Sequence, residues 1–269
     1  MLDVRMGDRG PRVVVLQVLL NRSGRARLVV DGIFGQHTRQ AVSDARRRLL
    51  QSTGDVADPD LWVPLLQEQH LCGVDAFDVG EERAVTGATI VRSAGSRVVM
   101  TGAMCNGIPA VVQGIVSATS PPASLAVLRT WGHGNRGHWL SFTVGEVVET
   151  TERDPVLGAA IARETSSYVS ADNFDANVPA LTPVGRCFAP MGFYEHHGCS
   201  LGKIPATRRM MSRLATLWNV PVTVAMGLQY IPIDGPTALR FQGHTFTAYP
   251  QGSEEKWLAR VRAAEATPH

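Results

Sequence analysis

The apolar pattern of this 269-residue chain changes period once, and that change limits the folds open to it. In the first segment Val13, Leu16, Gln17 and Leu20 follow one another at helical spacing, and so do Thr38, Ala41, Val42, Ala45 and Leu49. Asp58-Pro59-Asp60-Leu61-Trp62 opens a third, short helix, with Asp58 as its N-cap. Gly7-Asp8-Arg9-Gly10-Pro11 and Asp31-Gly32-Ile33-Phe34-Gly35 read as turns, and two positions of the second turn are expected to need positive φ.

From residue 84 the apolar residues come in short runs between glycines. Residues 88–91, 97–100, 125–131, 192–196 and 220–225 read as strands, and 125–131 is apolar enough to be buried on both faces. Helical spacing returns at 108–116, 155–166 and 206–218, the last with Met210, Met211, Leu214, Leu217 and Trp218 on one face as core packing. Residues 239–241 and 245–249 read as a closing hairpin. The expected fold class is therefore α/β: a small three-helix domain over 1–68, a linker over 69–84, and an α/β sandwich with a mostly parallel sheet over 85–269.

Composition removes several function classes. Apolar residues make up 44 % and charged residues 19 %, which is globular composition. Twenty-six Lys and Arg against 24 Asp and Glu leave a net charge of +2, too small to argue for a nucleic-acid partner. No apolar stretch reaches the roughly 18 residues of a membrane helix, so no membrane insertion is expected. Met1-Leu2-Asp3-Val4-Arg5 lacks the pattern of a secretory signal. The chain reads as soluble, either cytoplasmic or brought to a wall by a non-standard route. Cys72, Cys105, Cys187 and Cys199 form no CxxC pair and are too few for a disulfide framework. No metal and no cofactor are expected. A zinc site built from His133, His138, His196 or His197 with Cys199 lacks a recognised ligand spacing.

Two expected strand ends carry reactive groups: Trp131-Gly132-His133-Gly134, and His196-His197-Gly198-Cys199-Ser200. Ligands of parallel α/β sheets bind beyond the carboxyl ends of strands. Glycines beside each reactive side chain admit a substrate backbone. A thiol at a strand-to-helix turn feels the positive helix terminus, and a histidine can stabilise its thiolate and protonate a leaving amine. His196 and His197 alternate across a strand, so only one of them faces such a site. Glu195 is expected to orient a histidine or to pair with an arginine.

Two resemblances sharpen these readings. Leu16-Gln17, Asp31-Gly32-Ile33-Phe34-Gly35, Thr38, Ala41-Val42 and Trp62 with Leu65 resemble the peptidoglycan-binding domain family, a three-helix module, over residues 2–66. Where that family has Phe-Gln after the Ala-Val pair, Ala45-Arg46 stand here. The spacing of the Asp-Gly-x-x-Gly residues serves a turn, not a ligand. The order of a strand ending in His-Gly and a later strand ending in Gly-Cys resembles the caspase-like cysteine peptidases over residues 85–250. That resemblance implies His133 as catalytic histidine and Cys199 as nucleophile, with the N–H groups of Gly134 and Cys199 as oxyanion hole; Glu195 and His197, from the strand reading, are the candidate supporting residues. The Gln-Ala-Cys-x-Gly caspase signature is absent, and His133 and Cys199 stand 66 residues apart, more than the ~50 of caspases. The implied partners are peptidoglycan or a wall-associated protein, with a peptide substrate. The alternatives are a non-catalytic binding or assembly protein, such as cargo or a component of a phage or contractile machine, and a papain-like peptidoglycan hydrolase using Cys105 with His138 or His133.

Overall fold

The structure is a computed structural model that describes residues 3–24, 26–78, 84–101, 108–132, 134–135, 139–141, 149–153, 160–162, 168–229, 241 and 243–266. Three helices come first: α1 (Pro11–Arg22), α2 (Gln36–Leu50) and α3 (Pro59–Glu68). Pro11 supplies a preset φ at the start of α1. The Asp58 side chain caps α3 by accepting from the Leu61 N–H at 3.2 Å. The chain then enters β1 (Cys72–Asp78), α4 (Ala84–Ser93), β2 (Arg97–Thr101), α5 (Ile108–Ala118) and β3 (Leu125–Trp131). Five short strands follow: β4 (Gly134–Asn135), β5 (Trp139–Ser141), β6 (Glu149–Arg153), β7 (Ala160–Ala162) and β8 (Tyr168–Ser170). The last stretch holds α6 (Phe174–Gly185), β9 (Phe188–His197), α7 (Pro205–Trp218), β10 (Val222–Ala225), β11 (Thr245–Ala248) and α8 (Glu254–Glu265).

The fold is mixed α/β around a six-stranded sheet of order β11-β10-β9-β3-β1-β2. Every neighbouring pair is parallel except β10 with β11. Smaller sheets, β4-β5-β8 and β6-β7, lie in the chain between β3 and α6. One face of the large sheet packs Val74, Ala76, Leu128, Tyr194, Val222 and Val224 against α5, α6 and α7, with Met210 and Met211 inside. The other face packs Ala126, Val127, Ala189, Met191 and Phe193 against α1, α3 and α8. α1 is buried continuously from Val13 to Leu20, which is how a helix reads when it is core on all sides. Each such Val or Leu contributes about 1.5–3 kcal/mol by leaving water. A register shift in the β3/β9 pairing between Leu125 and Val127 turns both Ala126 and Val127 toward α1. Gly192 lies opposite that shift, where a Cβ would stand 2.7 Å from the Leu125 carbonyl oxygen.

Several expectations need correction. Residues 69–84, expected as a linker, contain β1, an interior strand paired with both β2 and β3. Residues 88–91, expected as a strand, lie in α4, where Ala88 and Val91 are three apart and both pack on Phe77 and Trp131; a short apolar run does not separate strand from helix by periodicity. Of the expected helix at 155–166, residues 160–162 form β7 and the remainder lies outside the described residues. β11 pairs with β10; of the other expected hairpin arm, 239–241, residues 239 and 240 lie outside the described residues. In the Asp31–Gly35 turn only Gly32 has positive φ, at 71°, while Gly35 is at −96°. The helices α6 and α8 carry no expectation from sequence; α6 is disguised by Pro179 and Pro183.

Removing residues 1–68 would strip the cover from Ala126, Val127, Ala189, Met191 and Phe193. The remaining fragment is expected to show no cooperative thermal transition, and the whole chain to melt in one step. Two separate transitions in calorimetry would contradict this.

Candidate active site

β3 and β9 run side by side in parallel, with Arg129 opposite Glu195, Thr130 opposite His196 and Trp131 opposite His197. Their carboxyl ends therefore open on the same edge of the sheet. Two residues beyond Trp131 the sequence has His133, and two beyond His197 it has Cys199. His133 lies outside the described residues, as do His138 and Cys105. Gly134 is in β4, opposite Leu140.

Cys199 is partly exposed, while Cys72 and Cys187 are buried free thiols. Its sulfur accepts from the Gln229 N–H at 3.3 Å and lies 3.5 Å from the Gln229 carbonyl oxygen. Ser200 follows in the left-handed region, at φ 59°, and its N–H donates to the Gly227 carbonyl at 2.8 Å. The turn then tightens over Leu201–Lys203, where a Cβ on Gly202 would meet the Phe246 Cβ at 2.9 Å. This close fit holds the Cys199 turn against the start of the segment that follows β10. α7 begins only at Pro205, so Cys199 precedes its first turn by several residues.

Beneath the strand ends, the sheet face that meets α1 carries buried charge. Asp75 and Arg129 are register partners. Arg129 Nε and Nη2 donate to the Asp75 carboxylate at 2.7 and 2.6 Å. Glu195, 3 % exposed, is held by a cation from another element: Arg12 of α1 donates through Nε and Nη2 at 2.5 and 2.7 Å. His197 Nε2 donates to the same carboxylate at 3.1 Å. Burial alone would raise the pKa of Glu195, but the charge of Arg12 and the hydrogen bonds from His197 and Arg12 outweigh it, and the group stays ionised far below the usual carboxylate range. Asp75 is also lowered, because Arg129 outweighs its burial. Burial lowers His197 to about 4 against the pull of Glu195, so its ring is neutral at pH 7.

One row further along, four rings stack: Phe77 on Trp131 at 5.5 Å, Trp131 on His197 at 3.9 Å, and His197 on Phe241 at 4.2 Å. The Trp131 N–H donates to Asp75 at 2.7 Å, and the Arg12 guanidinium lies 5.8 Å from the Phe241 ring centre. On the opposite face His196 Nδ1 is 2.6 Å from Thr130 Oγ1, which also meets the Tyr194 hydroxyl at 2.7 Å. His196 and His197 thus face opposite ways, as strand alternation requires. Glu195 both orients a histidine and pairs with an arginine. Sequence reasoning missed Arg12, Asp75, Arg129 and Phe241. A charged residue inside an apolar run, such as Arg129 within 125–131, is the signal that points to a buried partner.

In the helical segment Gln17 organises the turn. Its Nε2 donates to Asp31 Oδ1 at 2.8 Å, and its Oε1 accepts from the Gly32 N–H at 2.9 Å. Those residues are structural. Arg46 pairs with Asp58 at 2.6 Å. Between α1 and α2 lies a groove of about 700 Å³ with Leu20, Leu28 and Ala41 along it and Arg27, Arg47 and Arg48 around it. Among the described residues no helix is long and apolar enough to cross a membrane, and no group of three side chains could hold a metal ion.

No family model matches the chain, and no curated protein matches it. Among solved structures, the crystal structure of Burkholderia AP3 phage endolysin is similar at 25 % identity and a TM-score of 0.21. The match covers 44 % of this chain and 38 % of that one. A TM-score that low does not establish a shared fold.

The buried row makes the fold acid-sensitive. His197 is neutral in the fold down to about pH 4. Once unfolded, it gains a proton near the ordinary histidine pKa of about 6.5. Stability therefore falls as pH drops through that window, by roughly 3 kcal/mol from this group. Glu195, lowered in the fold, adds a loss below about pH 4.5. Urea midpoints at pH 7 and 4.5 are expected to differ accordingly, and His197→Phe, which keeps the ring stack, to flatten the upper part of that slope. Equal midpoints in the parent protein would refute this.

Proposed function

We propose that this chain is a cell-wall-associated cysteine peptidase of the caspase-like kind, with Cys199 as nucleophile and His133 as its acid and base. The observation that carries this reading is the register of two adjacent parallel strands. Trp131 and His197 are paired, and each is followed two residues later by one of the two groups the chemistry needs. The partial exposure of Cys199, beside two buried thiols, supports it.

The Cys199 thiolate attacks a peptide carbonyl carbon, and the resulting oxyanion is met by the N–H groups of Gly134 and Cys199. The C–N bond breaks as His133 gives its proton to the leaving amine. Water, deprotonated by His133, then attacks the thioester, releasing a carboxylate and regenerating the thiol. For attack, the sulfur must give up its contacts with the Gln229 main chain. The same contacts favour a second reading, a non-catalytic assembly protein in which that thiol stays engaged.

The three-helix segment would bring the enzyme to the wall. The groove between α1 and α2 has alkyl surface along it for an amphipathic ligand such as a muropeptide; of the arginines around it, Arg47 pairs with Asp44 and Arg48 with Glu68, so Arg27 is the cation that would meet the ligand's carboxylate.

Cys199→Ala is expected to lower peptide hydrolysis by at least about 10³-fold, since the covalent step has no substitute. Full activity in that variant would sink Cys199 as the nucleophile, and no hydrolysis by either protein would leave the assembly role. Intact protein is expected to sediment with purified cell walls, with Arg27→Glu weakening that binding several-fold. Protein left wholly in the supernatant would end the wall assignment.

A further inference from the structure

We propose that Arg12, on the first turn of α1, is a positioning residue for the Cys199 site. This rests on the reading of Cys199 as nucleophile. Two contacts and a short piece of chain lead from one to the other. Arg12 grips both carboxylate oxygens of Glu195, at 2.5 and 2.7 Å. Glu195 accepts the His197 Nε2–H at 3.1 Å. His197 ends β9, with only Gly198 between it and Cys199. Arg12 also lies over Phe241, which covers the face of the His197 ring opposite Trp131. It therefore bears on both the hydrogen-bond partner of His197 and one of its stacking partners.

The geometry is that of a fork. A guanidinium presents Nε and Nη2 in one plane, so it fixes the orientation of a carboxylate as well as its charge. The carboxylate in turn fixes the imidazole ring, and the ring fixes the backbone that carries the thiol. The stack of Trp131 on His197 at 3.9 Å ties this backbone to the end of β3, the strand that leads to His133. The cation that sets the geometry of the sheet edge thus comes from the helical segment and not from the sheet.

A second arginine on the same helix provides the control. Arg22, at the other end of α1, also pairs through Nε and Nη2, with Glu265 of α8 at 2.7–3.1 Å, away from the strand ends. Both pairs dock α1, but only the Arg12 pair leads to Cys199.

The test is site-resolved alkylation of the full-length protein by iodoacetamide across pH 5 to 9, with labelling of the buried Cys72 and Cys187 as the sign of unfolding. Arg12→Lys keeps the charge and loses the fork. It is expected to remain folded and to slow Cys199 labelling by about threefold, because the thiol is displaced. Arg12→Met is expected to slow it by about tenfold or more, as a displaced reacting group does. Where peptide hydrolysis is measured, kcat falls and KM stays within about twofold. Arg22→Met is expected to lower the melting temperature and leave the Cys199 profile unchanged. If both Arg12 variants fold and their Cys199 profiles match that of Arg22→Met, the positioning role is refuted. Should Arg12→Met unfold, Arg12→Lys decides by itself. Cys199→Ala with intact hydrolysis would instead overturn the reading of Cys199 as nucleophile, a result the Arg12 variants cannot mimic.

Discussion

A parallel sheet must be covered on both faces, because its strands are apolar on each side and its crossovers leave no face to water. In this chain α5, α6 and α7 cover one face, and α1, α3 and α8 cover much of the other. The helical segment that begins the chain is therefore built into the core. Its first helix does for the sheet what a crossover helix does in an ordinary doubly wound fold. The continuous burial of Val13 to Leu20 follows, because a helix that meets the sheet on one side and α2, α3 and α8 on the others has no solvent face.

This arrangement also sets the electrostatics. Buried charge is tolerated only when paired and hydrogen-bonded, and removing one partner of such a pair costs about 3–5 kcal/mol. Asp75 and Arg129 satisfy each other within the sheet. Glu195 is satisfied from outside it, by Arg12. The sheet edge that carries the proposed chemistry is thus completed by α1. Above the charges, Phe77, Trp131, His197 and Phe241 form a stack of flat rings that covers the row.

Much of the fold was legible because it rests on local pattern. The run at 125–131 reads as a buried strand, and β3 is buried at every position. Asp58 reads as a cap and acts as one. The turn residues Asp31 and Gly32 read as structural, and Gln17 holds them. Errors came where local pattern is ambiguous. Ala88 and Val91 satisfy a strand and a helix equally until their partners Phe77 and Trp131 are known. β1 hid in an acidic, glycine-bearing stretch because Asp75 makes an interior strand look like a linker, and only the partner Arg129 removes that cost. Of the candidate site, Glu195, His197 and Cys199 could be named from sequence, whereas Arg12, Arg129 and Phe241 could not, since each matters through a residue far away in the chain.

The sequence by itself determined the α/β class, three N-terminal helices, and a strand over residues 192–196 that leads to Cys199. These follow from the period of apolar side chains and from turn chemistry, which act over a few residues. The tertiary structure decided which strands are neighbours, that the leading helices belong to the core, and which arginine neutralises which carboxylate. Those choices depend on burial, since a charge acquires a required partner only once water is excluded from around it. The sequence carries the charges, and the fold selects the pairs.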